Sequence, residues 1–106
     1  MSGHRPFGVV IGTGDDRGIA RLSGELDRAA VDGLWTALDK LHEQGFRRVE
    51  LDLSDLDFLD AAALGALVRA DRRFNDAEAT LVLVGLRPPQ RRLLEITGLD
   101  RVLTVE

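Results

Sequence analysis

The residue types that could carry out chemistry are concentrated in one acidic segment of the chain. Asp52, Asp55, Asp57 and Asp60 lie close together, and carboxylate oxygens are the ligands that Mg²⁺ prefers. Their spacing matches no cation-binding loop, and alternate residues of an extended segment point to opposite sides. We favour a simpler interpretation, in which Ser54, Asp55 and Asp57 solvate a loop and Asp60 caps the helix that follows. The sequence therefore predicts no metal site.

The side chains that covalent catalysis requires are absent or isolated. The chain has no cysteine, which excludes disulfides, thiolate catalysis and cysteine-bound metals. His4 lies near the N-terminus, and His42 lies in the last turn of a predicted helix, where a cation suits the helix dipole. Neither histidine has an evident nucleophile among the three serines, Ser2, Ser23 and Ser54. We therefore predict a protein that is not an enzyme and binds no cofactor.

The glycine-rich segment GTGDDRG (12–18) has only a superficial likeness to a phosphate-binding loop. Its glycines do not follow the G-x-G-x-x-G spacing, and it leads into a predicted strand, so no helix N-terminus would meet a phosphate. Turn-forming residues between two β-rich segments favour a hairpin instead.

Charge and hydropathy limit the partners that this chain can have. The net charge is −4, whereas binding to nucleic acid needs a surplus of basic residues. We interpret the basic segments 71–74 and 87–92 as solvated helix faces. No apolar stretch is long enough to span a bilayer, and the N-terminal apolar run is too short for a signal peptide. We expect a cytoplasmic protein that neither binds nucleic acid nor inserts into a membrane.

The length and the apolar periodicity predict a single α/β domain. A chain of 106 residues is the usual size of one domain. Asp27 is a plausible N-cap for the first helix, Gly45 lies just past its end, and Trp35 falls on its core face as a packing residue. The continuous apolar run at 80–86 indicates a strand that is covered on both faces.

The order of the predicted elements indicates a mixed sheet with parallel βαβ units and helices packed against it. The predicted helices lie near 28–43, 61–74 and 89–97, and the predicted strands lie near 8–12, 19–24, 49–53, 80–84 and 102–105.

Three stretches of the chain together resemble a known family. They are LSGELD (22–27), LDLSDLDFLDAAALGAL (51–67) and PPQRRLLEITGLDRVLTVE (88–106), and they cover the chain in the family's order and spacing. They are similar to the single-domain STAS proteins that act as anti-sigma factor antagonists, also called anti-anti-sigma factors. The resemblance implies one STAS domain over residues 1–106, with a mixed, mostly parallel sheet whose helices pack mainly on one face.

The resemblance also implies a role in the regulation of transcription by partner switching. Such an antagonist binds an anti-sigma factor, typically a serine-protein kinase of the histidine-kinase-like ATPase type, and thereby frees a sigma factor. Phosphorylation of the antagonist on serine breaks the complex. The implied function is therefore a protein–protein interaction in the cytoplasm, without a catalytic site of its own.

The family's phosphoacceptor follows an aspartate at the start of the second helix, in a pattern like D-S-[ST]-[GA]-L-G. In this chain the aspartate is Asp60, the acceptor position is Ala61, its neighbour is Ala62, and the pattern ends with Leu64 and Gly65. The hydroxyl is therefore missing. Three explanations remain open: a natural variant that binds its partner constitutively, an engineered alanine variant of a switchable parent, and a divergent member that is regulated in another way.

We expect the partner-binding surface at the start of the second helix and just before the first. Small residues leave the first turn of the second helix accessible to another protein, although helix propensity with an N-cap would explain the alanines equally well. We interpret Ser54, the nearest remaining hydroxyl, as a strand-end residue, not as a phosphoacceptor. The expected surface consists of Gly24, Asp27, Asp60, Ala61, Ala62, Leu64 and Gly65.

An alternative function also follows from the resemblance. STAS domains serve as accessory subunits of membrane ABC transport ATPases, including lipid transporters, where they dock on the nucleotide-binding subunit. The oligomeric state remains open between a monomer and a weak dimer.

Overall fold

The structure is a computed structural model that describes residues 5–106. His4 and Ser2, which the sequence analysis considered, lie outside the described residues. Five strands form one sheet in which each strand pairs with its neighbour along the chain. The first two strands form an antiparallel hairpin, and all other pairs are parallel. The strands are β1 (Gly8–Gly14), β2 (Arg17–Leu26), β3 (Arg48–Leu59), β4 (Thr80–Val84) and β5 (Thr104–Val105).

Three helices connect the parallel strands, as the mixed α/β prediction requires. Short 3-10 turns at Arg28–Ala30 and Leu99–Arg101 precede the first helix and follow the last. Strand β3 lies beside β4, and the segment GTGDDRG forms the β1–β2 hairpin, so both predictions are confirmed. The helices are α1 (Val31–Glu43), α2 (Ala61–Asp76) and α3 (Pro88–Thr97).

The core lies between the helices and one face of the sheet, and leucine supplies most of it. Burying a leucine side chain contributes roughly 1.5–3 kcal/mol relative to leaving it exposed, so these residues are the main favourable term of the fold. Along β2 and the first half of β3, core residues alternate with residues on the opposite face of the sheet. Fully buried core leucines include Leu22, Leu34, Leu38, Leu41, Leu51, Leu53, Leu67, Leu81, Leu83 and Leu94.

Strand β4 is buried on both faces, as its continuous apolar run predicts. Val82 is fully buried, but it is not part of the helix-side core. It pairs with Glu50 of β3 and Thr104 of β5, so its neighbours within the sheet surround it. The apolar run therefore indicates a strand with a neighbour on each side.

Strand β3 is longer than predicted, and the segment that we interpreted as a solvated loop belongs to it. The strand continues through Ser54, Asp55 and Asp57 to Leu59 because β2 also extends to Leu26 and pairs with it. Two register shifts interrupt this pairing, which indicates β-bulges. The loop prediction was therefore wrong, because an extended partner strand was available.

The other boundaries differ in smaller ways. The first helix begins with a 3-10 turn at Arg28–Ala30, and the last strand is confined to Thr104–Val105 because Leu99–Arg101 forms a second 3-10 turn. Trp35 is half-buried and packs against the core, and the Arg73 guanidinium stacks 4.6 Å from its ring centroid. Within residues 5–106, no helix is long and apolar enough to cross a membrane.

Candidate functional site

Two strand-to-helix junctions lie side by side at the carboxyl ends of the neighbouring strands β2 and β3. Strands β2 and β3 are parallel, so the end of β2, which leads to α1, lies beside the end of β3, which leads to α2. The last pair in the register is Leu26 with Leu59, and the backbone N–H of Asp60 donates to the Leu26 carbonyl at 3.3 Å. The topology therefore brings together the two segments that the sequence analysis singled out.

The Asp60 carboxylate joins the two junctions. Its Oδ1 accepts a hydrogen bond from the backbone N–H of Ala63 at 2.8 Å, which is the predicted N-cap of α2. Its Oδ2 accepts from the backbone N–H of Arg28 at 3.3 Å, at the start of the other junction. Asp27 makes a similar cap, since its Oδ1 accepts from the Ala30 N–H at 3.1 Å. Hydrogen bonds from the backbone therefore fix the positions of both aspartates.

The predicted partner-binding residues differ widely in exposure. Ala61 is exposed on the first turn of α2, whereas Gly24 and Leu64 are buried. Leu64 packs in the hydrophobic core, so its side chain helps to anchor α2 against the sheet. The remaining residues of the set are accessible from outside the protein. The half-buried members of the set are Asp27, Asp60, Ala62 and Gly65.

Gly24 has a backbone role within β2. Its φ of +76° lies in the left-handed region, which side chains other than glycine rarely adopt. A Cβ atom on Gly24 would overlap the carbonyl of Pro6, because the N-terminal segment crosses β2 at this point. Gly24 therefore permits a close approach of two backbone segments beside the site.

Phe58 is a residue of the site that the sequence analysis did not identify. It lies near the end of β3, two residues before Asp60, and its side chain is 46% exposed. Its register partner is Glu25 of β2. Strict alternation from the buried Leu56 would have placed Phe58 in the core, so the bulges that disrupt β3 also turn this ring outward. An aromatic residue within an acidic run was the available signal.

The acidic segment is neutralised by arginines. Arg5 donates to the carboxylates of Asp55 at 3.2 Å and Asp57 at 2.7 Å, and these hydrogen bonds, that to Asp57 first, raise the pKa of Arg5 above its usual value. Asp52 accepts from the Ser54 backbone N–H at 3.0 Å and lies 3.7 Å from the Arg21 guanidinium. Arg5 thus holds Asp55 and Asp57 together while Asp52 has other partners, and no metal-binding cluster occurs among residues 5–106.

The part of β3 beyond its pairing with β4 is held by the start of α3. The β3–β4 register ends at Asp52, which leaves later carbonyls of β3 without a β4 partner. Gln90, which is buried, donates from Nε2 to the Leu56 carbonyl at 3.1 Å, and the Arg87 guanidinium donates to the same oxygen. The Arg87 backbone N–H in turn donates to Gln90 Oε1 at 2.9 Å. These bonds fix the strand segment that carries Phe58.

The described residues around Ala61 hold no group for covalent chemistry. Ala61 offers only a methyl group, and its neighbours Ala62 and Ala63 are equally inert. Ser54 is exposed in the interior of β3, not at its end, and its backbone N–H is bonded to Asp52. The first turn of α2 therefore presents small side chains next to the Asp60 carboxylate, and Phe58 is exposed three residues before Ala61 in the chain.

Comparisons with known proteins agree on one family. A family model described as Mlab, STAS domain, matches residues 11–105. An anti-sigma F factor antagonist from Paenibacillus polymyxa is 28% identical over 88 residues, which cover 82% of this chain and 75% of that protein.

The solved structures support the same fold. An anti-sigma factor antagonist from Mycobacterium paratuberculosis has a TM-score of 0.83 at 23% identity, and the match covers 94% of this chain and 85% of that one. The Bacillus cell fate determinant SpoIIAA in its phosphorylated form has a TM-score of 0.68 at 20% identity, with coverage of 95% and 91%. The strand and helix arrangement described above is therefore shared with both proteins.

Proposed function

The chain belongs to the STAS-domain family, and we propose that it is an anti-sigma factor antagonist. In this role it binds an anti-sigma factor and so releases a sigma factor to act in transcription. The protein is a regulatory binding module, and it works in the cytoplasm. The similarity to a named antagonist along most of the chain supports this function.

The observation that carries the proposal is the geometry at the start of α2. Asp60 locks the first turn of α2 to the β2–α1 junction through two backbone N–H groups. The preorganised turn presents exposed Ala61 with no bulky side chain on it, and Phe58 supplies an exposed aromatic ring nearby in the chain. A rigid surface of this kind loses little conformational entropy on binding, which favours protein recognition.

The partner is an anti-sigma factor of the histidine-kinase-like ATPase type, a serine-protein kinase. In the family pattern the hydroxyl that such a kinase modifies stands at position 61, where this chain has alanine. Because alanine cannot be phosphorylated, kinase activity and ATP do not dissociate the complex through this position. The Bacillus protein SpoIIAA, whose fold this chain shares, has been solved in a phosphorylated form, and this chain keeps the scaffold without the acceptor.

Docking on an ABC transport ATPase is the alternative function, and it is not favoured. The curated relatives that match along most of the chain are named as antagonists of anti-sigma factors. Co-purification with a transport ATPase and not with a kinase-like anti-sigma factor would reverse this choice.

The test is the affinity of the purified chain for its anti-sigma factor, measured by isothermal titration calorimetry. Ala61→Glu places an unpaired charge in the interface, which costs on the order of 2 kcal/mol or more when water is excluded, or roughly 30-fold in Kd. Ile96→Glu is the matched control, because Ile96 is 75% exposed on α3 and lies outside the proposed surface.

We expect Ala61→Glu to weaken binding while Ile96→Glu binds as the parent does. Circular dichroism and urea unfolding must show that both variants remain folded. Equal affinity of the parent and a folded Ala61→Glu variant would contradict the placement of the interface, and the absence of any binding by the parent would contradict the function.

A further inference from the structure

The two edges of the sheet are protected very differently. At one edge, β5 has only two residues, and such a short edge strand offers little backbone for pairing. At the other edge, β1 has seven residues, and its only partner among the described residues is β2. The β1 edge is therefore the larger open backbone surface of the sheet.

Strand β1 also lacks the features that usually prevent pairing between edges. Its sequence, GVVIGTG, contains no charged residue and no proline. Its pairing with β2 runs from Gly8↔Ser23 to Gly14↔Arg17 without a register shift, so no bulge turns the edge away. Val10 is 68% exposed on this strand. A long, regular and uncharged edge is a template for another strand.

The strand is complementary to itself in one antiparallel register. Pairing centred on Ile11 matches all seven residues with those of a second copy, so that Gly8 faces Gly14 and Val9 faces Thr13. It also keeps the alternation of faces, because Val9 and Ile11 pack against the core whereas Val10 and Gly12 lie on the open face. The core-side faces of both copies then lie on the same side of the joined sheet.

The same register places a bulky residue opposite an empty position. Val10 of one copy faces Gly12 of the other, where a Cβ atom would meet nothing within 4 Å. A hollow of about 160 Å³ lies there on the open face, lined by Val10, Gly12, Thr13, Ile19 and Arg21. The Val10 side chain of each copy would therefore enter the hollow of the other copy and lose its exposure to water.

The charged residues that flank β1 lie outside the strand that would pair. Arg5 precedes β1 and is bonded to Asp55 and Asp57. Asp15 and Asp16 form the turn after Gly14, and Arg17 lies on β2 opposite Gly14, one strand away from the β1 edge.

We infer that the β1 edge is a homodimer interface, at which two copies join antiparallel about Ile11 to form one continuous sheet. The interface is separate from the start of α2, so it does not depend on the anti-sigma partner. Each copy leaves its Asp60 and Ala61 surface available in the dimer.

The first test is sedimentation velocity of the protein alone up to millimolar concentration. We expect a reversible dimer, and Val10→Lys should raise its dissociation constant by about tenfold or more, because a lysine would be desolvated at the pairing edge. Val102→Lys is the matched control, since Val102 is 50% exposed but lies after α3, away from β1. A parent that stays monomeric, or a dimer that Val10→Lys leaves unchanged, would overturn the inference.

The second test fixes the register through a single introduced cysteine, which is clean because the chain has none. Ile11→Cys lies on the twofold axis of the pair, where opposite Cα atoms are about 4.5–5.5 Å apart and can form a disulfide. Val9→Cys is the control, because its copies would be about 13 Å apart along the strand, beyond the reach of a disulfide. Under mild oxidation we expect a covalent dimer for Ile11→Cys only. Crosslinking of Val9→Cys, or of neither variant, would refute this register.

Discussion

The Asp60 carboxylate and the Arg28 backbone N–H are joined by a hydrogen bond of 3.3 Å that links two separate strand-to-helix junctions. The other carboxylate oxygen caps α2 through Ala63. A single side chain thus sets the position of the first turn of α2 relative to the start of α1. The proposed partner surface depends on that relative position, because it includes residues from both junctions.

Loss of the Asp60 carboxylate should destabilise the protein measurably. Asp60→Ala removes an N-cap and leaves the N–H groups of Ala63 and Arg28 without their acceptor, so we expect the free energy of unfolding to fall by about 1–2 kcal/mol. Asp60→Asn keeps an acceptor oxygen at the cap and should lose less. Urea unfolding monitored by circular dichroism measures both variants, and equal stability of Asp60→Ala and the parent would contradict the capping role.

The backbone at Gly24 should tolerate no side chain. Gly24→Ala combines a left-handed φ of +76° with an overlap between the new Cβ and the Pro6 carbonyl. Gly45→Ala is the matched control, because its φ is +89° but no atom lies within 4 Å of its Cβ position. We expect Gly45→Ala to cost about 1–2 kcal/mol from backbone conformation alone and Gly24→Ala to cost clearly more. Equal losses in thermal or urea unfolding would show that the N-terminal segment moves aside without cost.

The sequence predicted best what depends on local chemistry. The cap at Asp60, the hairpin at 12–18 and the order of elements follow from residue types and periodicity within short windows, and all are present. The family pattern at Asp60 and Ala61 also lies on the predicted helix start, with Ala61 exposed. Local signals therefore sufficed for these elements, whereas the partner surface was placed by the family resemblance and stays a prediction.

The sequence could not predict features that arise from pairing between distant segments. In the second half of β3 the buried residues Leu53, Leu56 and Leu59 recur every third position because of the bulges, a spacing that does not look like a strand. The exposure of Phe58 follows from the same irregularity. Arg5 reaches Asp55 and Asp57 from the far end of the chain, so no local pattern signalled that contact.

Stability should depend on pH through Asp71, a carboxylate of α2 that is only 5% exposed. Burial raises its pKa above the ordinary 3.8. The hydrogen bond from Asn75 Nδ2 at 3.2 Å offsets only part of this rise. The folded state therefore holds this proton more tightly than the unfolded state, so the contribution to stability is complete below pH 3.8 and is lost as the pH rises through the folded pKa.

The test of this dependence is Asp71→Asn, which removes the titration while preserving the shape of the side chain. We expect the stability of Asp71→Asn relative to the parent to increase as the pH rises from below 3.8 to neutrality. Asp76→Asn, at an exposed position of the same helix, controls for the loss of one charge. A constant difference between Asp71→Asn and the parent at all pH values would contradict a raised pKa for Asp71.

Restoring a hydroxyl at position 61 should restore the phosphorylation switch. Ala61→Ser places the hydroxyl on the exposed first turn of α2, next to Asp60, where a serine-protein kinase can reach it. Phosphorylation would add roughly −1.5 to −2 charge at neutral pH. The helix N-terminus tolerates part of this charge, but the adjacent Asp60 carboxylate and a partner surface shaped for a methyl group do not. We therefore expect ATP to release Ala61→Ser from a kinase-type anti-sigma factor and to leave the parent complex intact.

Mass spectrometry after incubation with the cognate kinase and ATP checks the acceptor, and calorimetry or size-exclusion chromatography checks the release. Ala62→Ser is the matched control, because it carries the same hydroxyl at the next, half-buried position. We expect a phosphate on Ala61→Ser and none on the parent, including at Ser54, whose strand the kinase would have to open. If phosphorylation of Ser54 in the parent released the partner, the regulatory phosphorylation site would be Ser54 on β3 and not position 61. Phosphorylation of Ala61→Ser without any loss of affinity would show that position 61 lies outside the contact, since a doubly charged group cannot enter a desolvated interface without a cost.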